Sequence, residues 1–207
     1  MIIALPFSNA NARRATGTIG AEEEGEVDLV RLQALFALPG VVIHELGHYL
    51  LCRLVGAKVQ EVVFFEPAGP SGYVVHSVPR RLRQHLVIVA GPLLLNSAVS
   101  FLLFRAAATS ANGAVFTMSP GLPWGALQDV LAVILGASIA LQAIPSYADA
   151  NSLWNVALDR LQAGNLLALF ALPFAIGLIL VNHLRRFWID WLYLIVLAGL
   201  AVWFPVQ

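Results

Sequence analysis

Residues 44–48 read His-Glu-Leu-Gly-His. On a helix, positions i and i+4 share a face one turn apart, so His44 and His48 can present imidazole nitrogens to one ion. Glu45 sits one residue along, about 100° around the helix, where it can reach a metal-bound water without being a ligand. Two neutral imidazoles and one carboxylate, with a fourth position open to water, form the pattern of a catalytic zinc site. In such a site zinc lowers the pKa of the water, Glu45 takes its proton, and the hydroxide attacks a polarised peptide carbonyl. The expected cofactor is one Zn2+ per chain.

The motif is short, so chance has to be weighed. The chain's own His and Glu frequencies give roughly 0.004 expected matches to H-E-x-x-H. Its setting lowers that figure, because the three groups fall in an apolar stretch from Leu35 to Leu51. On insertion scales each ionisable group costs about 2.5–3.5 kcal/mol near the middle of a span, and such residues are rare unless function retains them. Zinc also needs a third protein ligand, for which Asp129, Asp149, Asp190, Glu61, Glu66, His76, His85 and His183 are candidates. Depth sorts them. His48 lies about 13 Å before the inner end of its span, at 1.5 Å per helical residue. Asp129 falls near the outer end of a later span, while Asp190 and His183 flank an outward link. Asp149 follows Pro145 on the inner side, where a broken helix surrounded by protein would carry it up to the metal. Its alternative role is a helix N-cap for residues 151–162.

The elements that position these residues are membrane elements. Of 207 residues 59% are apolar and 12% charged, about half the usual charged share and too little to cover a water-soluble surface. A formal net charge of zero leaves no basic field for nucleic acid. The single cysteine, Cys52, excludes an internal disulfide and reads as a packed apolar residue. A span needs about 20 apolar residues, and residues 29–57, 84–108, 124–144, 164–184 and 187–206 qualify. The expected fold is therefore an α-helical polytopic membrane protein with about five transmembrane helices. The last two, joined by Leu184-Arg185-Arg186, should form a helical hairpin.

Between the first two spans the texture changes. Residues 58–66 and 72–78 are β-branched and aromatic around the turn-forming Pro67-Ala68-Gly69-Pro70-Ser71, which predicts a membrane-associated β-hairpin over 58–78. Residues 1–27 hold little to bury and read as a mobile tail, leaving 28–207 as a single membrane-embedded domain. The apolar run Met1–Phe7 is too short for a signal-peptide core, so insertion would rely on the internal spans. Residues 151–162 place Leu153, Trp154, Val156, Ala157 and Leu161 on one face, as a partly interfacial helix does. The loop at 58–83 carries Lys58, Arg80, Arg81 and Arg83, whereas 109–123 carries no charge. That bias puts the hairpin on the cytoplasmic side of a cell membrane and the N-terminus outside. It also leaves Arg185 and Arg186 outside, against the rule.

His-Glu-Leu-Gly-His in the first span, Ala-Gly-Pro-Leu-Leu-Leu-Asn (Ala90 to Asn96) in the second and a Pro…Asp segment closing the third occur in a telling order. Over residues 30–155 the chain resembles the site-2 protease family of intramembrane zinc metalloproteases. The resemblance implies zinc held by His44, His48 and Asp149, with Glu45 as the base. It also implies hydrolysis of peptide bonds in or next to transmembrane segments, a hairpin that pairs with substrate, and Asn96 beside the active site as a substrate-binding residue. The partners expected are a transmembrane or membrane-proximal protein substrate and the lipid bilayer. Two departures stand out: three residues rather than two separate Pro92 from Asn96, and Ala150 rather than glycine follows Asp149. The first rotates the amide by about 100° on a regular helix, which makes a helix–helix hydrogen bond the alternative role for Asn96. A non-catalytic membrane scaffold that kept the fold is the rival reading. The intact His-Glu-His set argues against it, since nothing but function retains so costly a group. A transporter would distribute polar residues along several spans, and the later spans hold few.

Overall fold

The computed structural model describes residues 22–66, 72–110 and 124–203. Most of the expected tail, the turn at 67–71, residues 111–123 and the end of the last apolar segment lie outside the described residues. Helix α1 (Glu22–Val55) begins inside the stretch read as a tail and leads to β1 (Val59–Val63) and β2 (Tyr73–His76). Then follow α2 (Leu82–Ser110), α3 (Trp124–Leu141), α4 (Tyr147–Gln162), α5 (Ala168–Leu184) and α6 (Ile189–Trp203). Leu32–Val55, Leu82–Thr109 and Ala168–Phe187 are long and apolar enough to cross a membrane, whereas the apolar parts of α3 and α6 are shorter. Leu94, Leu102, Phe170 and Val202 are exposed, as a surface turned to lipid requires. The β-hairpin is antiparallel, with Val62 opposite Val74 and Val63 opposite Tyr73.

Helices α1 and α3 meet through a defect in α1. Pro39 lies inside that helix, where its missing N–H and its ring open the hydrogen-bond ladder. The Ser138 hydroxyl enters the opening: it accepts from the Gly40 amide at 3.1 Å and donates to the Phe36 carbonyl at 2.6 Å. Those two backbone groups would pair with each other in a regular helix, and a side chain inserted there bends it. A Cβ on Gly40 would stand 2.2 Å from the Ser138 carbonyl oxygen, so only glycine permits the approach. His44 is one turn further along.

Directions of the later helices follow from their contacts. Ser152 meets His85 and Arg160 donates to the Pro79 carbonyl, so α4 runs antiparallel to α2. A short link returns the chain as α5, packed on α4 through Ala150, Leu153 and Ala157 against Ala168, Ala171 and Ala175. Near its end Asn182 donates to the Pro145 carbonyl at 3.0 Å, level with the start of α4. Helix α6 pairs Tyr193 with Ser97 and offers the Ala201 carbonyl to Arg105, so it runs parallel to α2.

The expected hairpin of the last two helices is thereby corrected: α5 and α6 follow one another in the same direction. Arg185–Phe187 forms one 3-10 turn, and Trp188 closes it in the left-handed region at φ 65°. In this link Asn182 donates to the Pro145 carbonyl and Arg185 to Asp190, while Arg186 and Phe187 are exposed. Gly40→Ala should therefore lower stability in detergent by about 1–3 kcal/mol, the usual cost of overpacking. Gly177, where a Cβ would meet nothing within 4 Å, is the control. Thermal unfolding of the two variants checks this; equal midpoints would show that the α1–α3 crossing does not depend on Gly40.

Candidate metal centre

His44 and His48 project from α1 and are nearly fully buried. Each is turned by a backbone carbonyl. His44 Nδ1 lies 2.6 Å from the Gln142 oxygen and His48 Nδ1 lies 3.0 Å from the Ile88 oxygen. A carbonyl only accepts, so both Nδ1 atoms carry the hydrogen and both neutral rings present a bare Nε2.

Those two carbonyls are available for a reason written in the sequence. Four residues beyond Ile88 stands Pro92, which has no N–H to return to it. Gln142 follows the end of α3, and the amide four residues on, that of Ser146, donates instead to Asp149 Oδ2 at 2.8 Å. Proline in one case and a helix end in the other leave a carbonyl facing α1, and a histidine takes each.

Asp149 comes from the first turn of α4. Ser146 caps that helix in a reciprocal box: its hydroxyl accepts from the Asp149 amide at 3.2 Å and donates to Asp149 Oδ2 at 2.6 Å. The cap thus occupies Oδ2 and leaves Oδ1, which lies 3.4 Å from His48 Nε2. Asp149 Oδ2 is 3.8 Å from His44 Nε2. Ligand atoms of the three residues all fall within 4.8 Å of one another. A tetrahedral zinc with nitrogen and oxygen ligands at about 2.0–2.1 Å sets them about 3.3 Å apart. With both Nδ1 hydrogens committed, three lone-pair donors converge on one space, which is the arrangement a cation satisfies. The residues fit the ion.

A cavity of about 550 Å³ opens on this cluster. Glu45 lines it beside the two histidines, with Gly72 and, from β2, Tyr73, Val74 and His76. Gly72 is where the hairpin touches α1: a Cβ there would stand 2.8 Å from Glu45 Cγ and 3.0 Å from Val41 Cγ1. Glu45 has no hydrogen-bond partner among the described residues. Tyr73 also donates its hydroxyl to Glu61 Oε1 at 2.7 Å, which raises the pKa of the phenol.

The remaining candidates are placed elsewhere. Asp190 pairs with Arg185 at 2.8 Å, Glu61 holds Tyr73, and His183 turns back to the Ile179 carbonyl. His85 is fully buried with its Nε2 3.2 Å from the Ser152 hydroxyl. Glu66 and Asp129 are not in the cluster. Asn96 is fully buried and does not line the cavity. Its Nδ2 donates to the carbonyls of Gly40, Ile139 and Gln142 at 3.1–3.3 Å, so it joins α1, α2 and α3 and shares the Gln142 oxygen with His44. Sequence reading missed Gln142, Ser146, Gly72 and Arg185 as parts of the site. Signals existed for Ser146, which stands three residues before Asp149 in a capping-box spacing, and for Pro92, whose freed carbonyl is four residues back.

Pro92→Ala tests the carbonyl arrangement. Replacing an interior proline ordinarily favours a helix, but here the new amide competes for the Ile88 oxygen and releases His48. Zinc affinity measured by chelator competition should fall about 10–100-fold, the usual loss when a ligand's orienting partner goes. Affinity equal to that of the unaltered protein would mean the Ile88 bond does not orient the ring.

Residues 27–123 match the Peptidase M50B-like family. No curated protein and no solved structure matches the chain. The matched stretch contains the hairpin, His44, Glu45, His48 and Asn96, and ends before Asp149, so the third member of the cluster is joined to it by the fold alone. Over residues 27–123 the chain is thus similar to the Peptidase M50B-like family, a site-2 protease family domain, in keeping with the order of its motifs.

Proposed function

We propose that the protein is an intramembrane zinc metalloendopeptidase that hydrolyses peptide bonds in or next to transmembrane segments of membrane proteins. The observation that carries this reading is the convergence of His44, His48 and Asp149 beside an unpartnered Glu45, in a cavity walled by a β-hairpin. His44 Nε2, His48 Nε2 and Asp149 Oδ1 would hold the ion. Bound zinc supplies Lewis acidity, acidifying water and polarising the carbonyl to be attacked. Glu45 takes a proton from water as its oxygen adds to the peptide carbon, then delivers that proton to the departing amine nitrogen. Charge develops away from bulk solvent, where fixed dipoles act strongly.

The described helices would then make four crossings of the bilayer: α1, α2, α3 continued by α4, and α5 continued by α6. Two of these crossings are broken level with the cavity, where irregular backbone is tolerated because protein surrounds it. Arg53, Lys58, Arg80, Arg81, Arg83 and Arg160 gather at the hairpin end, which sets that end in the cytoplasm. With Arg185 paired to Asp190, only Arg186 still opposes this orientation. Strand β2 faces the cavity, so an unwound substrate segment would add to the hairpin through backbone hydrogen bonds.

Substitution separates the roles. Glu45→Gln should keep zinc near one per chain while cleavage of a transmembrane reporter falls by about 10²–10⁴-fold, the range of a general base. His48→Ala should lose both metal and cleavage, and Asp149→Asn should weaken zinc binding. Undiminished cleavage by Glu45→Gln, or a fully loaded His48→Ala, would refute the assignment.

A further inference from the structure

Arg185 is the only cation among the residues that line the cavity. It stands in the break between α5 and α6 and is held from two sides. Its Nε donates to Asp190 Oδ2 at 2.8 Å and its Nη1 to Asn182 Oδ1 at 3.4 Å. Asn182 in turn donates to the Pro145 carbonyl, next to the Ser146–Asp149 cap. The guanidinium is thus fixed against the same segment that delivers the third metal-binding group. A guanidinium has five N–H donors. Two are used here, and Nη2 has no hydrogen-bond partner among the described residues.

Two further features set this arginine apart from a structural ion pair. Trp188, three residues on, holds φ 65° and ψ 26° and donates its amide to the Arg185 carbonyl at 3.0 Å. A bulky residue in the left-handed region stores strain, which persists where the surroundings impose it and gathers at functional sites. The charge also lines the same cavity as His44, His48 and Asp149. The pairing with Asp190 and Asn182 leaves Nη2 uncommitted in a residue that lines the cavity.

We propose that Arg185 is a catalytic residue of this cavity, its free Nη2 donating to the carbonyl oxygen of the bond being cut and holding the negative charge that oxygen acquires. The inference rests on the protease reading and names a residue beyond it. In the addition step the water oxygen bonds to the peptide carbon, the C=O π pair moves onto the carbonyl oxygen, and a water proton passes to Glu45. When the C–N bond breaks, that pair returns to re-form C=O and the amine nitrogen receives the proton from Glu45. Arg185 loses no proton; its hydrogen bond shortens as charge collects on the oxygen and relaxes as it leaves. Such a donor recognises backbone and so tolerates varied side chains in the substrate. Asp190 and Asn182 act as positioning residues that keep the fork aimed.

The test uses full-length zinc-loaded protein in detergent and a single-span reporter whose transmembrane segment carries helix-destabilising residues. Cleavage by the unaltered protein comes first; its absence would sink the protease reading and this inference with it. Arg185→Gln should then lower kcat about 10²-fold, as losing one oxyanion donor does, with KM and zinc content unchanged. Added methylguanidine should restore part of the rate in Arg185→Ala, and Arg185→Lys should fall between. Unchanged kcat in Arg185→Gln, a change confined to KM, or loss of zinc would overturn the proposal while leaving Glu45 and the metal cluster as assigned. A structural arginine would show no rescue.

Discussion

Everything at this site depends on two backbone carbonyls that have no amide of their own. A histidine placed in an apolar helix can point in several directions, and an ion at its ring demands one. The Ile88 carbonyl lost its helical partner to Pro92, and the Gln142 carbonyl lies past the end of α3. In a dry interior the Ile88 oxygen would be left unsatisfied at a cost of about 1–3 kcal/mol, and the Gln142 oxygen would keep only Asn96 Nδ2. The histidines of α1 remove that cost and are oriented in doing so. The same bond that satisfies the scaffold fixes the tautomer of the ligand, and the bare Nε2 atoms face each other across the space that Asp149 enters.

A single constraint explains the rest of the packing. The Ile88 carbonyl belongs to α2 and the Gln142 carbonyl follows the end of α3, so α1 has to lie close against both helices at the level of His44 and His48. The Ser138 hydroxyl inserted beside Gly40 brings α3 in, and Asn96 ties the carbonyls of α1 and α3 to α2. Asp149 is then positioned by ordinary helix capping rather than by a dedicated contact: the turn that starts α4 is the turn that aims its carboxylate. The small-residue seam between α4 and α5 carries the chain back to the same depth, where the second break sets Arg185 and Asp190.

Much of this was legible in the residues. His44, Glu45 and His48 are local in sequence and need only helical spacing to be read. The hairpin shows in its β-branched runs, and Pro145 announced the break that lets Asp149 approach. What was not legible is tertiary. No pattern within 84–108 says which carbonyl a histidine forty residues earlier will use, although the proline that frees it is plain. Asn96 illustrates the point. Its spacing from Pro92 differs from the resembled pattern, and the amide sits among three carbonyls of other helices. The link at Leu184–Arg186 was read as a hairpin turn because a short basic connection between apolar segments normally reverses the chain at a water surface. Here Asp190 and Asn182 supply inside the protein what water would supply outside, and a left-handed Trp188 keeps the chain moving the same way.

The central claim is that carbonyl-held His44 and His48 join Asp149 around one zinc ion, with Glu45 outside the ligand set. X-ray absorption at the zinc edge of the purified protein tests it most directly. The account predicts one ion per chain with two imidazole nitrogens and otherwise oxygen, at about 2.0–2.2 Å. Sulfur near about 2.3 Å, a single imidazole, or protein that retains no zinc would contradict it.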